Sequence, residues 1–262
     1  MHTARIIRNT LTAAMLAACG SVRATEIIVP DQMELSVALQ VAVSGDTITI
    51  RPSATPYTQY PGFAFTGKRL TIRGMSGNPA DVVLDGSNLD RVLSISGANA
   101  DGSLIQALTL AHGRGPATSE ANGAGLYIVD ANVTIENCII RDNVVPGAEG
   151  NGAGLFANTG SIITVRGTLF QNNTITGANG DGAGVFITSG SGEFVNCEFV
   201  ANIAENPFSG DDLSWGGAAY LDAGSFRFTR CTFDGNRAEL GGALYISGTA
   251  TATIDAGRLL SN

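Results

Sequence analysis

Lysine is almost missing from this chain: Lys68 is the only one in 262 residues. Basic side chains total 15 against 23 acidic ones, and no basic stripe is present to neutralise phosphates. That excludes a nucleic-acid-binding surface of the usual kind. Charge of either sign is scarce, at 15% of residues, and aromatics make up 6%. A low-charge, acidic composition reads as a soluble extracellular surface. Long apolar runs are also lacking; the longest, Leu11–Ala18, is far too short to cross a membrane as a helix. No proline-rich linker or charge block marks a domain boundary. The four cysteines have no zinc-type spacing, and no Gly-Gly-x-Gly-x-Asp calcium loop occurs. Neither a metal site nor a cofactor is therefore expected.

Glycine and two repeated phrases fill the space these absences leave. A glycine-rich opener recurs as Gly123-Ala124-Gly125-Leu126-Tyr127, Gly152-Ala153-Gly154-Leu155-Phe156, Gly182-Ala183-Gly184-Val185-Phe186, Gly216-Gly217-Ala218-Ala219-Tyr220 and Gly241-Gly242-Ala243-Leu244-Tyr245. A large apolar residue followed three positions later by asparagine recurs in phase: Ile140/Asn143, Phe170/Asn173, Phe199/Asn202, Phe233/Asn236 and Leu259/Asn262. Opening glycine to apolar residue spans 17, 18, 17, 17 and 18 positions. Asparagine to the next opener spans 9, 9, 14 and 5. A constant half joined to an elastic half is what a solenoid requires: the first builds a stacked wall, the second is a loop free to change length.

The shortest repeat, Gly216 to Gly241, is 25 residues. It is too short for a propeller blade and too poor in leucine for a leucine-rich repeat. Segments such as Val133–Glu136 and Phe226–Thr229 alternate apolar and polar, as half-buried strands do. The predicted fold is all-β, a right-handed parallel β-helix with a short N-terminal capping helix. Coils about 4.8 Å apart turn aligned positions into ladders. One ladder holds Ile105, Ile135, Val165, Phe194, Phe228 and Ile254; a second holds Leu110, Ile140, Phe170, Phe199, Phe233 and Leu259. Asn143, Asn173, Asn202, Asn236 and Asn262 form a structural amide ladder, with asparagine suited to left-handed turn geometry.

These phrases resemble the polymorphic outer membrane protein repeat, a right-handed parallel β-helix family marked by Gly-Gly-Ala-(Ile/Leu/Val) and Phe-x-x-Asn. The resemblance covers roughly residues 103–262. Three openers read Gly-Ala-Gly instead, and Ile140 and Leu259 stand in for phenylalanine. It implies an adhesin-like module associated with the outer membrane or cell surface. Residues 26–102 are expected to hold the cap and first coils. There, Asp31-Gln32-Met33-Glu34 reads as a capping box, followed by a helix to Val43, Gly45 and a strand at Asp46–Ile50. That order resembles the N-terminal cap of pectin-lyase-like β-helices.

Residues 1–24 read as a signal peptide: Arg5 and Arg8, the apolar run, then Val22-Arg23-Ala24 as cleavage site. Removing it leaves 12 basic against 23 acidic residues, a net of −11. Leu16-Ala17-Ala18-Cys19 competes as a lipoprotein box that would lipidate Cys19. Both readings place the folded chain outside the cytoplasm, with no transmembrane span after processing. Residues 25–102 then form the cap and early coils, and 103–262 the repeats.

No catalytic constellation is legible. Gly210-Asp211-Asp212 resembles the paired aspartates of polygalacturonase-like enzymes, but the companion Gly-His-Gly and Arg-x-Lys signatures do not follow. His112 falls at a turn, and Arg141, Arg166 and Arg227 sit in different columns. A carbohydrate-active enzyme of pectin-lyase type is the alternative to a non-catalytic interaction module. Candidate binding residues lie on the elastic loops, at Phe208, Asp211, Asp212 and the lone Trp215. Beside them runs the outward aromatic column Tyr127, Phe156, Phe186, Tyr220 and Tyr245, either a binding strip or a floor beneath the loops. The partner is a protein or glycan surface. Leu244, Ile246, Ile254 and Leu259 have no cover after them, so self-association through the C-terminal coil is also expected.

Overall fold

The computed structural model describes residues 24–116, 121–205 and 213–262. Period-two alternation makes strands, and single left-handed residues bend the chain between them. The coil that opens at Gly152 shows the plan. A first wall runs Leu155–Asn158, a second Ile162–Arg166, a third Leu169–Gln171 and a short fourth Thr174–Ile175, before the loop returns. Stacked coils give parallel sheets of seven, nine, eight and four strands for these walls in that order. The nine-stranded sheet begins at Glu26–Val29 and ends at Thr251–Asp255.

Register follows the repeat alignment pair by pair. Ile105, Ile135, Val165, Phe194, Phe228 and Ile254 are successive partners in the second wall. Leu110, Ile140, Phe170, Phe199, Phe233 and Leu259 are successive partners in the third. Phe170, Phe199 and Phe233 are fully buried, with ring centroids 5.0 and 4.8 Å apart. Close-packed rings of this kind carry much of the core energy. Cys138, Cys197 and Cys231 fill an adjoining buried column as free thiols. Burial pushes the Cys138 thiol up to about 12, and a hydrogen bond with Cys231, followed by burial, raises Cys197.

The asparagine ladder is inside the coil. Asn143 Nδ2 donates to Asn173 Oδ1 at 2.9 Å, and the same bond repeats from Asn173 to Asn202, Asn202 to Asn236 and Asn236 to Asn262. Each Nδ2 also donates to a carbonyl one coil back, as Asn202 does to Phe170 at 3.0 Å. The backbone N–H of each rung donates to the next Oδ1. Every polar side-chain atom of the four buried rungs, Asn143, Asn173, Asn202 and Asn236, is thereby met, while Asn262 is an exposed last rung. The left-handed geometry expected of these asparagines belongs to the residue before each. Asp142, Asn172, Ala201, Gly235 and Ser261 carry φ of 49 to 62°. The ladder residue itself must aim its amide inward, so its neighbour makes the bend.

The opening glycines turn a second corner. Gly182 has φ +63°, and a Cβ there would lie 2.4 Å from the Val185 carbonyl oxygen. Gly154, third in its opener, faces the ladder: its missing Cβ leaves room for Asn173 Nδ2 and the Gly184 carbonyl.

The N-terminal helix is shorter than the sequence implied, spanning Leu35–Val41 with Glu34 as its N-cap and no side-chain capping bond. Asp31 does not cap it, because its carboxylate pairs with Arg51 at 2.6 Å instead. Leu35, Ala38 and Leu39 are buried and cover the first coil. At the opposite end Ile246, Ile254 and Leu259 are exposed. No helix among the described residues is long and apolar enough to cross a membrane.

Candidate functional site

The loop face is built on the outer side of the first wall. Leu126 and Ile128 point into the core, so Tyr127 between them points out, and its partners in successive coils are Phe156, Phe186, Tyr220 and Tyr245. Their rings stack nearly parallel, with centroids 5.4, 5.6, 4.8 and 5.5 Å apart. Stacking covers the faces of the middle rings: Phe156, Phe186 and Tyr220 are buried. The column is therefore a floor, and Phe186 and Tyr220 offer no open ring face to a ligand. Arg91 closes its N-terminal end, with its guanidinium 4.3 Å above Tyr127.

Trp215 closes the other end. It packs parallel to Tyr245 at 5.0 Å and Tyr220 at 6.1 Å, and is half-buried. A second amide ladder sets its backbone. Asn122 Oδ1 accepts from Asn151 N at 2.8 Å, Asn151 Oδ1 from Asp181 N at 2.9 Å, and Asp181 Oδ1 from Trp215 N at 2.8 Å. This ladder was missed in the sequence; its signal is the residue before each opening glycine.

Asp181 occupies an amide position with a carboxyl. Burial pushes it up to about 7, with nearby Glu239 adding to the rise and the Trp215 N–H opposing it. Glu239 Oε2 accepts from Ser214 N at 3.1 Å. Two acids, a serine and an indole thus meet at one loop mouth. Ser214 Oγ and Trp215 Nε1 are buried there without a hydrogen-bond partner among the described residues. Leu213 and Leu240 are 42% and 43% exposed, and Leu240 bridges to Trp215. Phe208, Asp211 and Asp212 lie outside the described residues, as does Cys19.

Elsewhere the charged groups answer one another from rung to rung. Arg73 pairs with Glu26 at 2.8 Å, Arg166 with Glu193 at 3.1 Å, and Arg227 with Asp255. Arg141 pairs with Asp142. His112, a lone turn residue in the sequence, has Asp85 Oδ2 2.7 Å from its Nδ1, from a strand 27 positions earlier. No group of three or more His, Cys, Asp or Glu side chains among the described residues is arranged to hold a metal ion.

No curated protein matches the chain, and no solved structure does. A family model described as the right-handed beta helix region matches residues 42–202 and again, overlapping, residues 95–258. Two overlapping placements are what repeated coils permit. With parallel walls, an interior amide ladder and a match over most of its length, the chain belongs to the right-handed β-helix family.

Proposed function

We propose that the chain is an exported, non-catalytic interaction module, adhesin-like, that meets a protein or glycan surface through the loop edge around Trp215. One observation carries this reading: Trp215 lies half-buried on Tyr245 with Leu213 and Leu240 exposed beside it. An anchored aromatic ringed by aliphatic side chains is how interface hot spots are built. The outward charges support it too, since they pair along the walls and do not converge on one point. Export, by plain cleavage near Ala24 or by lipidation at Cys19, is supported by the basic start and short apolar run of residues 1–24. Placement at the outer membrane rests on the resemblance of the openers and Phe-x-x-Asn phrases to the polymorphic outer membrane protein repeat. The same reading has copies associating through the exposed last coil, which light scattering of residues 25–262 would show as dimers or larger species.

The enzyme reading has one observation in its favour, the raised Asp181 carboxyl beside Glu239, a combination that acid–base hydrolases use. Both carboxylates are already committed to backbone N–H groups of Ser214 and Trp215. Beads coated with residues 25–262 are expected to adhere to cell surfaces, and Trp215→Ala should abolish that adhesion. No sugar should be released from pectate, polygalacturonate or neutral glucans, with or without calcium. Turnover that disappears in Asp181→Asn would replace the module by a hydrolase.

A further inference from the structure

The corner between the second and third walls is made in most coils by one left-handed residue: Ala107, Asn137, Gly167, Asn196, Arg230 or Ala256, all with φ between 50 and 56°. Two early coils break the rule, at residues 51–56 and 75–82. In the second, between the strands Thr71–Gly74 and Val83–Asp85, the chain makes an excursion that includes a short 3-10 turn at Pro79–Asp81. This excursion is pinned to two later coils. Thr109 Oγ1 donates to the Pro79 carbonyl at 2.8 Å, and Asn137 Nδ2 to the Gly77 carbonyl at 2.7 Å. The result is a fixed ridge on this flank.

A cleft of about 420 Å³ opens on the side of the ridge facing the second wall, a size typical of small-ligand sites. A second groove of about 240 Å³ runs along the third-wall side, and both are lined by Asn137. The floor of the larger cleft is the outward column Thr49, Arg73 and Gln106, with Glu26 beside it. Glu26 Oε1 takes Thr49 Oγ1 and Arg73 Nη2, and hydrogen bonding to these two groups holds its carboxyl below the ordinary value. The Gln106 amide N–H donates to Glu136 at 3.3 Å. These bonds leave Glu26 Oε2, Gln106 Oε1 and Asn137 Oδ1 as acceptors, and Arg73 Nη1 as donor, without partners among the described residues. The Met75 and Ile28 side chains supply an apolar edge.

We propose that this ridge-walled cleft binds a neutral oligosaccharide. A carboxylate and a guanidinium side by side match a vicinal diol, which donates through one hydroxyl and accepts through its neighbour. The amide oxygens of Gln106 and Asn137 take further hydroxyls, and Met75 lies against the apolar face of a ring. Glu26 and Arg73 cancel in charge and the whole chain is acidic, so an anionic glycan is disfavoured. The second groove extends the track past Asn137, which selects a chain of several sugars over a single one. This site is separate from the loop edge at Trp215 and does not depend on it.

The test is calorimetric titration of residues 25–262 with neutral hexasaccharides of β-1,4-glucose, β-1,3-glucose, β-1,4-xylose and β-1,4-mannose, alongside hexagalacturonate. At least one neutral hexasaccharide should bind in the micromolar to millimolar range. Arg73→Met and Gln106→Ala should each weaken it about tenfold or more, the loss expected for one polar contact to a bound ligand. Arg227→Met, on the same wall but away from the cleft, should leave that affinity unchanged. Asn137→Gly keeps the left-handed backbone while removing the amide, so it reads the same loss if Arg73→Met fails to fold. Absence of binding to every neutral hexasaccharide, preference for hexagalacturonate, or affinity indifferent to all three cleft variants would overturn the proposal.

Discussion

Inside the coil and outside it, the chain uses the same two devices, a stack of rings and a ladder of amides, yet treats them differently. The inner stack of Phe170, Phe199 and Phe233 and the inner ladder from Asn143 to Asn262 do not vary in chemical type. The outer stack mixes tyrosine with phenylalanine, and the outer ladder passes from Asn122 and Asn151 to Asp181 and then to Trp215. The reason is how many bonds each position must satisfy. An inner amide accepts two N–H groups and donates twice, all away from water, and only asparagine does both at that length. An outer rung has to offer one acceptor to the next N–H, which aspartate also provides. Freedom at the loop face therefore begins where the bonding requirement falls from four to one.

The largest break in that comparison is expected from Phe199→Ala, which removes the middle ring of the inner stack. It should cost about 3–5 kcal/mol in chemical denaturation; a loss below about 1 kcal/mol would mean that the stack contributes little. Asn202→Asp comes next. It deletes the donors to Asn236 and Phe170 and buries a charge, so about 3 kcal/mol should be lost, and more at pH 8 than at pH 4. The converse change on the outer ladder, Asp181→Asn, should stabilise. The Asp181 carboxyl is raised in the folded chain to about 7, above its unfolded value, so its contribution is full below about pH 4 and is lost as pH climbs towards 7. The asparagine variant should lack that decline and exceed the parent by about 2 kcal/mol at pH 8, a figure discounted for the carboxyl's partial exposure. Equal stability of the two proteins at pH 4 and pH 8 would show that the carboxyl is solvated. Smallest is Arg91→Met, which uncovers Tyr127 at the end of the outer stack and should cost about 1 kcal/mol or less.

The walls were legible because they repeat. Ile135 over Val165 over Phe194 could be aligned by eye, and the strands pair in that register. The corners were half legible. Left-handed geometry was expected at the ladder asparagines, but the bend falls on the preceding residue, whose identity varies from aspartate to glycine and so gives no column to read. The outer ladder was present as Asn122-Gly123, Asn151-Gly152 and Asp181-Gly182, and was overlooked because its later rungs change residue type. The capping box at Asp31 had the right spacing, yet Arg51, twenty positions on, took the carboxylate. The ridge before Val83 occurs once, and a feature without a second copy carries no periodicity.

The stacking of parallel strands gives the molecule a mechanical character. Within the walls each strand is bonded only to the coil before and the coil after it, by hydrogen bonds that run along the long axis. Tension between the two ends of the chain would thus peel the structure one coil at a time. The coil from Gly152 to Gly182 is 30 residues, so each such release would pay out about 100 Å of extended chain. A protein tethered at one end and gripped at the other would behave as a series of breakable links, lengthening in steps under load while the remaining coils keep their grip.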